Sequence, residues 1–576
     1  MGIAMIRPIP FAASLIAAFA LAACTTTAPP APAAPPPPPQ VLRVIGLNDF
    51  HGNLEPLPRP LRVVEDDGRE REAKAGGAAW LANAVREARK DAPHSLAIAA
   101  GDLIGASPLV SSYFLDEPAI GAMNRIGLDF NAVGNHEFDR GWQELRRMQD
   151  GGCEQLTLRR PCAVENPYPG ADFEFLAANV LMPDGSTLFP AYAIRSFGEG
   201  NASFRVGVIG LTLKDTPSLV TPDGIAGLTF GPEAEAINRA VAELASQRVE
   251  AIIVAIHAGL YTEVGYNDKS CGGVYGPLLE VLKSVDPRVD LVISGHTHRA
   301  YVCDFTDIDP ARRFTVTSAG YGGSILTTID LAIDPATGDA DVVRADNRVV
   351  ESVGADAAPD PEVAAYVARH VEAARDASAR PVGRISGDGH APALATEETS
   401  LGNAIADAQL WSTLGAGAQI ALMNNSGVRA GIIPASDGTI SYGAIFAAQP
   451  FANQLITRSF TGAQLLALLE QQFDGESFVQ TFSVSEGFAL SYDLNRPVGN
   501  RVMSARLHGQ PIDPAAIYRV TMNSFLAAGG DSFTLFTGGS DSVVGPLDLD
   551  AMEAWLAAAE MRALPPIGRI TDLTAR

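Results

Sequence analysis

The sequence predicts an α/β protein of two unequal parts: a layered α/β domain over residues 41–350 and an α+β domain over 381–576, joined by a connector helix within 351–380. Three observations predict this. First, the runs at 41–49, 94–102, 204–212, 249–259 and 289–298 are short, apolar and rich in β-branched residues. Several end in Gly, Asp, His or Asn, and Ala-rich helical patterns separate them. Continuous apolar runs of this length describe strands buried on both faces. Second, the pattern after Pro381 changes to helices and strands interspersed with many Gly turns. Third, residues 357–379 form an amphipathic pattern after a Pro-containing start and carry none of the chemistry found on either side. A chain of 576 residues exceeds one core, and a prior of one domain per ~150 residues would give three to four. The pattern gives two large ones.

Taken in order, residues 1–23 carry one positive charge, Arg7, and then an apolar stretch from Phe11 to Ala22. This is shorter than the ~20 residues of a bilayer span and ends in small residues, so it reads as a secretory signal peptide. Leu21-Ala22-Ala23-Cys24 resembles the lipobox of bacterial lipoproteins, in which the cysteine is lipidated after cleavage. Residues 24–40 continue into TTTAPPAPAAPPPPPQ, whose proline density favours an extended tether. The expected location is therefore the bacterial envelope, facing the periplasm and held to a membrane through Cys24. Thr25 after that cysteine favours the outer membrane by analogy with known lipoproteins. No later stretch has the length of a transmembrane helix.

The other cysteines are Cys153, Cys162, Cys271 and Cys303. Each successive pair is close in sequence and an exported chain meets an oxidising compartment, so Cys153–Cys162 and Cys271–Cys303 are the expected disulfides, with four free thiols as the alternative. In the second half, 400–414 and 462–473 have helical patterns, whereas 419–427, 487–494 and 518–526 read as strands.

The charge is unbalanced: 66 acidic against 42 basic side chains, a net −24. A protein that coats nucleic acid displaces phosphate counterions with Lys and Arg, so that class is excluded. Any smaller anionic ligand requires positive charge supplied locally. The nine histidines indicate where. Five of them (His51, His136, His257, His296 and His298) lie at or just after predicted strands of the first domain, and ligands gather beyond the carboxyl ends of such strands. Alternation along an extended Asn48–His51 would put Asp49 and His51 on one side. The next segments supply Gly101-Asp102, Gly134-Asn135-His136-Glu137-Phe138-Asp139, His257-Ala258-Gly259 and Gly295-His296-Thr297-His298. Carboxylate, imidazole and amide without thiolate suit borderline to hard divalent metals such as Zn, Mn, Co or Ca.

The order D-x-H, G-D, G-N-H-E, H, G-H-x-H resembles the signature of the calcineurin-like dinuclear metallophosphoesterases. NDFHGNLEP, GNHEFDRG and GHTHR resemble the 5′-nucleotidase family within them. The resemblance covers essentially everything after the proline tether. It implies a four-layer α/β/β/α catalytic domain and two divalent metal ions. Asp49, His51 and His298 would bind one ion, Asn135, His257 and His296 the other, and Asp102 would bridge them. His136 would not be a ligand: paired with Asp139, it would help to stabilise the transition state of a metal-assisted hydrolysis.

In the second half, Asn424–Arg429 resembles the family's N-x-G-G-x-R loop, Gln449-Pro450-Phe451 the turn bearing one aromatic, and Asn523–Asp531 the segment bearing a second aromatic, Phe525, and an acid, Asp531. The family places a nucleobase between the two aromatics, ribose hydroxyls on the acid and anionic oxygens on Arg429. One departure stands out: Glu397 falls where an Arg is usual and Ser400 where an Asn is usual. The resemblance implies an exported hydrolase of nucleoside 5′-monophosphates. A 2′,3′-cyclic phosphodiesterase or a nucleotide-sugar or dinucleotide pyrophosphatase is the alternative on the same scaffold, and a non-catalytic surface binding protein ranks lower. A thiosulfohydrolase of related fold is disfavoured by Phe451 and Phe525. The partners expected are a nucleotide and a membrane, not a nucleic-acid polymer, and a monomer is slightly favoured.

Overall fold

The structure is a computed structural model that describes residues 37–64, 68–157, 159–249, 251–262, 264–354, 357–474 and 479–574. The signal peptide, Cys24 and most of the proline tether lie outside the described residues. Among the described residues no helix is long and apolar enough to cross a membrane.

The first part is built on two six-stranded sheets. Across one, the strands run Ala340–Val349, Ile325–Ile333, Gln40–Leu47, Ser95–Ala99, Phe130–Ala132 and Glu174–Leu176. Across the other they run Ala300–Asp304, Thr315–Ala319, Leu291–Ser294, Ala251–His257, Phe204–Thr212 and Tyr192–Phe197. Within each sheet the chemistry-bearing strands are parallel: Gln40–Leu47 pairs with Ser95–Ala99 and that strand with Phe130–Ala132, while Ala251–His257 pairs with Leu291–Ser294. The buried clusters show how the layers stack. Val44, Ile98 and Phe130 meet Val208, Ile253 and Ile293 between the sheets. Ile45, Ala97 and Ala99 pack outward on Leu81, Val85, Ile120 and Met123. On the opposite outer face, Ile252, Val254 and Ile256 pack on Ile237, Val241 and Leu244. The result is four layers, α/β/β/α. In the helix Ala78–Arg89, Ala78, Leu81, Ala82 and Val85 recur at helical spacing on the buried side. Each large side chain buried this way contributes ~1.5–3 kcal/mol.

The helix Pro361–Ala379 starts at an Asp360 cap whose side chain accepts from Glu362 N and Val363 N, with Pro at the first position. Val363, Tyr366 and Val367 pack into the first part's outer cluster. At the other end, Tyr442 N donates to Arg380 O at 2.8 Å, which ties the helix to the second part. That second part has a five-stranded sheet in the order Phe482–Val484, Ile420–Asn424, Ile517–Asn523, Gln454–Thr461, Ser540–Leu547, with two smaller sheets. Helix Gly462–Glu470 begins in a capping box between Thr461 and Gln464. Segment 518–526 divides: its strand ends at Asn523, whose side chain caps the short helix Ser524–Ala527.

Cys153 bonds to Cys162 and Cys271 to Cys303, with Cα–Cα distances of 5.6 and 4.9 Å.

Candidate metal centre and adjoining cavity

Both sheets point the carboxyl ends of their parallel strands at one place, so the histidines do not line the edge of a single sheet. Asp49, His51, Asp102 and Asn135 come from the first sheet, and His257, His296 and His298 from the second. The backbone stitches the ends together: Asp49 N donates to Gly101 O at 3.0 Å and His51 N to Asp102 O at 2.9 Å. Across the sheets, His296 N donates to Asp49 Oδ2 at 2.9 Å.

Alternation is not what brings Asp49 and His51 together. The strand ends at Leu47, and Asp49 and His51 both have left-handed backbones, with φ of 47° and 45°. Asp102, His296 and His298 share this conformation, at 52°, 74° and 56°. A non-glycine residue held there costs ~1–3 kcal/mol and persists only where its surroundings enforce it. Five of the seven candidate ligands thus sit on strained backbone, which curls their side chains into one space. The glycines beside them are needed for room. A Cβ on Gly134 would collide with Asp102 Oδ1, and one on Gly101 would lie 2.5 Å from His257 Nδ1.

Donor atoms of Asp49, His51 and His298 all lie within 4.8 Å of one another, as do those of Asp102, His257 and His296. One oxygen, Asp102 Oδ2, is 3.0 Å from His257 Nε2 and 3.6 Å from His51 Nε2, between the two groups. Asn135 Oδ1 is 3.1 Å from His257 Nε2. The imidazoles are held by their other nitrogens: His51 Nδ1 donates to Gly105 O at 2.9 Å and His257 Nδ1 to Ala100 O at 2.8 Å. That orientation turns Nε2 inward as a lone-pair donor. His51 Nε2 then faces His298 Nε2 at 3.2 Å and the Asp49 and Asp102 carboxylates. Lone pairs converging this closely fit a cation between them. Burial drives His51 down to about 3 and, with the charge of His257, His296 down to about 4, so both imidazoles are neutral at neutral pH and free to act as ligands. Burial also opposes charge on His257, yet the Asp102, Asp49 and Glu137 carboxylates lift it to about 10. The centre is built to hold positive charge, as proton or as metal.

His136 lies beside this centre. Its N–H donates to Asp102 Oδ1 at 2.9 Å and its Nδ1 to Asp139 Oδ2 at 2.9 Å. Burial works against its protonation, but the Asp139 and Asp102 carboxylates outweigh burial and raise its pKa.

Glu137 is a residue that sequence reasoning missed. Fully buried between two candidate site residues, its carboxylate accepts from Asp102 N, Leu103 N and Gly134 N at 2.9, 2.8 and 2.7 Å. It braces the backbone that presents Asp102 and Asn135. The one signal in the sequence was its place, an acid inside the strand-end turn between His136 and Asp139. Glu137→Ala is expected to weaken metal retention by about 10–100-fold, as loss of an outer partner typically does, measured by competition with a chelator. Asn48 was also missed: its amide donates to Asp49 Oδ2 at 2.7 Å and Gly320 O at 2.8 Å.

A cavity of about 280 Å³ adjoins the centre, bounded on one side by Asn135, His136 and Asp139 and on the other by Asn424, Arg429, Phe451, Phe525 and Asp531. Phe451 crosses from the second part to stack on His136, with ring centroids 5.9 Å apart and planes at 18°. Asn424 Nδ2 and Ser426 Oγ donate to Asp531 Oδ2 at 2.9 and 2.6 Å, and Asn523 Nδ2 donates to Asn424 Oδ1 at 2.9 Å. Burial raises the Asp531 pKa against these bonds. Phe525 rests on Gly530, where an added Cβ would lie 2.5 Å from the ring. Gly530→Ala is therefore expected to displace the Phe525 ring and to weaken binding of a flat aromatic ligand in this cavity by about tenfold, the scale of a lost aromatic stack of ~1–3 kcal/mol, measured by calorimetry.

Glu397 contributes no charge to this cavity. It accepts from Ala393 N at 2.6 Å and folds the Pro392–Glu397 loop on itself. That loop borders a second space of about 380 Å³, on the His298 side, which is also lined by Tyr321, Leu394 and Arg429.

Comparison with known proteins agrees with this geometry. Residues 42–300 match the calcineurin-like phosphoesterase family, and residues 381–538 match the 5′-nucleotidase C-terminal domain. The chain is 29% identical over 518 residues to the endonuclease YhcR of Bacillus subtilis, covering 88% of this chain but only 39% of that protein's length. It is 25% identical over 543 residues to a snake venom 5′-nucleotidase from Gloydius brevicauda, covering 87% of this chain and 83% of the relative. The crystal structure of a 5′-nucleotidase precursor from Thermus thermophilus superposes with a TM-score of 0.73 at 25% identity, over 92% of this chain and 99% of that one.

Proposed function

We propose that this chain, which belongs to the 5′-nucleotidase family of calcineurin-like phosphoesterases, releases phosphate from nucleoside 5′-monophosphates. It is a metal-dependent phosphoric ester hydrolase by family. One observation carries the reading: the two groups of donor atoms share an edge with a cavity bearing aromatic, amide, acid and guanidinium groups.

Asp49, His51 and His298 would hold one divalent ion, Asn135, His257 and His296 the second, and Asp102 both. Such ions supply the Lewis-acid charge that activates water and neutralises phosphoryl oxygens. The chain's own residues do the rest. Asp139 orients the His136 ring through Nδ1 and favours its doubly protonated form, whose Nε2–H would donate to the oxygen that gains charge. Arg429 binds remaining phosphoryl oxygens. Phe451 and Phe525 would enclose the base, and Asp531, held by Asn424 and Ser426, would accept from ribose hydroxyls. The net charge of −24 is then no obstacle to a phosphate substrate, because the attraction is local.

A second reading, a nucleotide-sugar or dinucleotide pyrophosphatase, is favoured by the space beside His298 and Arg429, which offers room for a group beyond the scissile phosphate. Assaying 5′-AMP, ADP, 2′,3′-cyclic AMP and UDP-glucose side by side separates the readings. A kcat/KM highest for 5′-AMP supports the first, and one highest for UDP-glucose replaces it with the second.

The location also stands as a proposal: the lipobox-like Leu21–Cys24 and the proline tether support a lipoprotein facing the periplasm, divided into domains at 41–350 and 381–576 with a connector at 351–380.

A further inference from the structure

We propose that Asp548, Asn453 and Ser524 form a clasp that sets the position of the aromatic pair, so that Asp548 and Ser524 are positioning residues for nucleoside binding. The inference rests on the reading of Phe451 and Phe525 as a base clamp.

The two aromatics belong to separate turns. Phe451 lies just beyond the helix Tyr442–Ala448, and Phe525 lies in the helix Ser524–Ala527. These turns meet because Gln454–Thr461 and Ile517–Asn523 are antiparallel neighbours, with Leu455 opposite Asn523. Strand pairing alone ends there and leaves the turns free to shift against each other.

Asp548 supplies the missing tie on one side. It is only 2% exposed and lines the cavity, and the groups that act on it most are the Leu549 and Asn453 N–H groups, the Asn453 amide and the Asp550 carboxylate. Burial, reinforced by the charge of Asp550, lifts its carboxyl to about 7. A buried acid is costly and persists where its hydrogen bonds hold something in place. Here they hold Asn453. Asp548 N donates to Asn453 O at 2.8 Å, and Asn453 N donates to Asp548 Oδ2 at 3.3 Å. The other oxygen accepts from Leu549 N at 2.8 Å, at the first residue of the helix Asp548–Ala557. Asn453 is separated from Phe451 only by Ala452, whose left-handed backbone (φ 53°) needs external support.

Ser524 supplies the tie on the other side. Its hydroxyl donates to Asn453 Oδ1 at 3.1 Å, and Ser524 immediately precedes Phe525. A short path therefore runs from Phe451 through Asn453 and one hydrogen bond to Ser524 and Phe525, anchored by Asp548 on a third element. Rings held at a set spacing lose little freedom when a flat ligand enters, and that preorganisation appears as affinity.

The test uses the full chain with Ser524→Ala, Asp548→Asn, the double variant and Phe451→Ala. Adenosine binding is measured by calorimetry, and kinetics are measured on 5′-AMP and on glycerol phosphate, which has no base. Each clasp variant is expected to raise the adenosine Kd and the KM for 5′-AMP together by about 5–20-fold, with kcat unchanged within about twofold, since affinity lost with preorganisation is ground-state affinity. The double variant is expected to be no worse than the weaker single within about twofold, because both act on one unit. Glycerol phosphate hydrolysis is expected to be unaffected, which a general loss of folding would not allow. Adenosine binding that Phe451→Ala abolishes but Ser524→Ala and Asp548→Asn leave intact, or losses that multiply in the double variant, would overturn the clasp alone. Adenosine binding indifferent to Phe451→Ala would instead overturn the base clamp beneath it. If Asp548→Asn does not fold, Ser524→Ala decides by the same criteria.

Discussion

Asp102→Asn is expected to lose both metal ions and turnover, with kcat/KM on 5′-AMP falling by about 10³-fold or more, the scale of several kcal/mol of lost metal-ion charge stabilisation. The size of the effect comes from where Asp102 Oδ2 lies, 3.0 Å from His257 Nε2 and 3.6 Å from His51 Nε2. It is the single negative atom shared by the two donor groups, and two like-charged ions held close need an anion between them. An amide oxygen occupies the same volume without the charge, so shape is kept while the attraction is lost. Asp102 also accepts from His136 N at 2.9 Å, so the substitution loosens the neighbouring turn. Metal content by mass spectrometry of the purified variant, beside its activity, is the check. Two retained metals would show that Asp102 is not the shared ligand.

His136→Ala is expected to behave in the opposite way: metals retained, KM within about threefold, and kcat lower by about 10²–10⁴-fold, the range of a lost general acid or charge-stabilising donor. His136 touches Asp102 only through its backbone N–H, which alanine keeps, while its imidazole is spent on Asp139 and on the stack with Phe451. Asp139→Asn is the companion variant. Its amide cannot hold the Nδ1 proton as a carboxylate does, so an intermediate loss is expected. A His136→Ala enzyme with unchanged kcat would remove His136 from the chemistry.

Much of this site was legible in the sequence because ligand-bearing segments come directly after apolar runs. Runs such as 41–47 and 251–257 declare themselves strands, and the residues just beyond a parallel strand lie at the sheet's carboxyl end. The connector helix was readable from its Pro start and apolar spacing for the same reason: local patterns report local structure. The convergence itself was legible only in part. Strand alternation puts Asp49 and His51 on one side in the sequence, whereas the chain achieves this with two left-handed residues beyond the strand end. Nothing local in Asn48–His51 forecasts that conformation; it is enforced by bonds to Gly101, Asp102 and Gly105, in the segment that follows the neighbouring strand Ser95–Ala99. The roles of Glu137 and Asp548 were not legible for a related reason. Their value lies in backbone N–H groups distant in sequence or in a neighbouring turn, which composition and spacing do not record. Glu397 was visible as a departure, but its consequence, a loop closed by its own carboxylate, depended on a backbone partner that only the fold supplies.

If this acidic chain handles phosphate through charge brought in at two donor groups sharing Asp102, its activity must rise and fall with the metal it holds. That dependence is measured by metal removal and add-back titration on purified protein from residue 41 onward, following phosphate release from 5′-AMP. No activity is expected after chelation, and recovery is expected to be complete at about two equivalents of a divalent ion per chain. Full activity in protein shown to be metal-free would refute the dimetal reading outright.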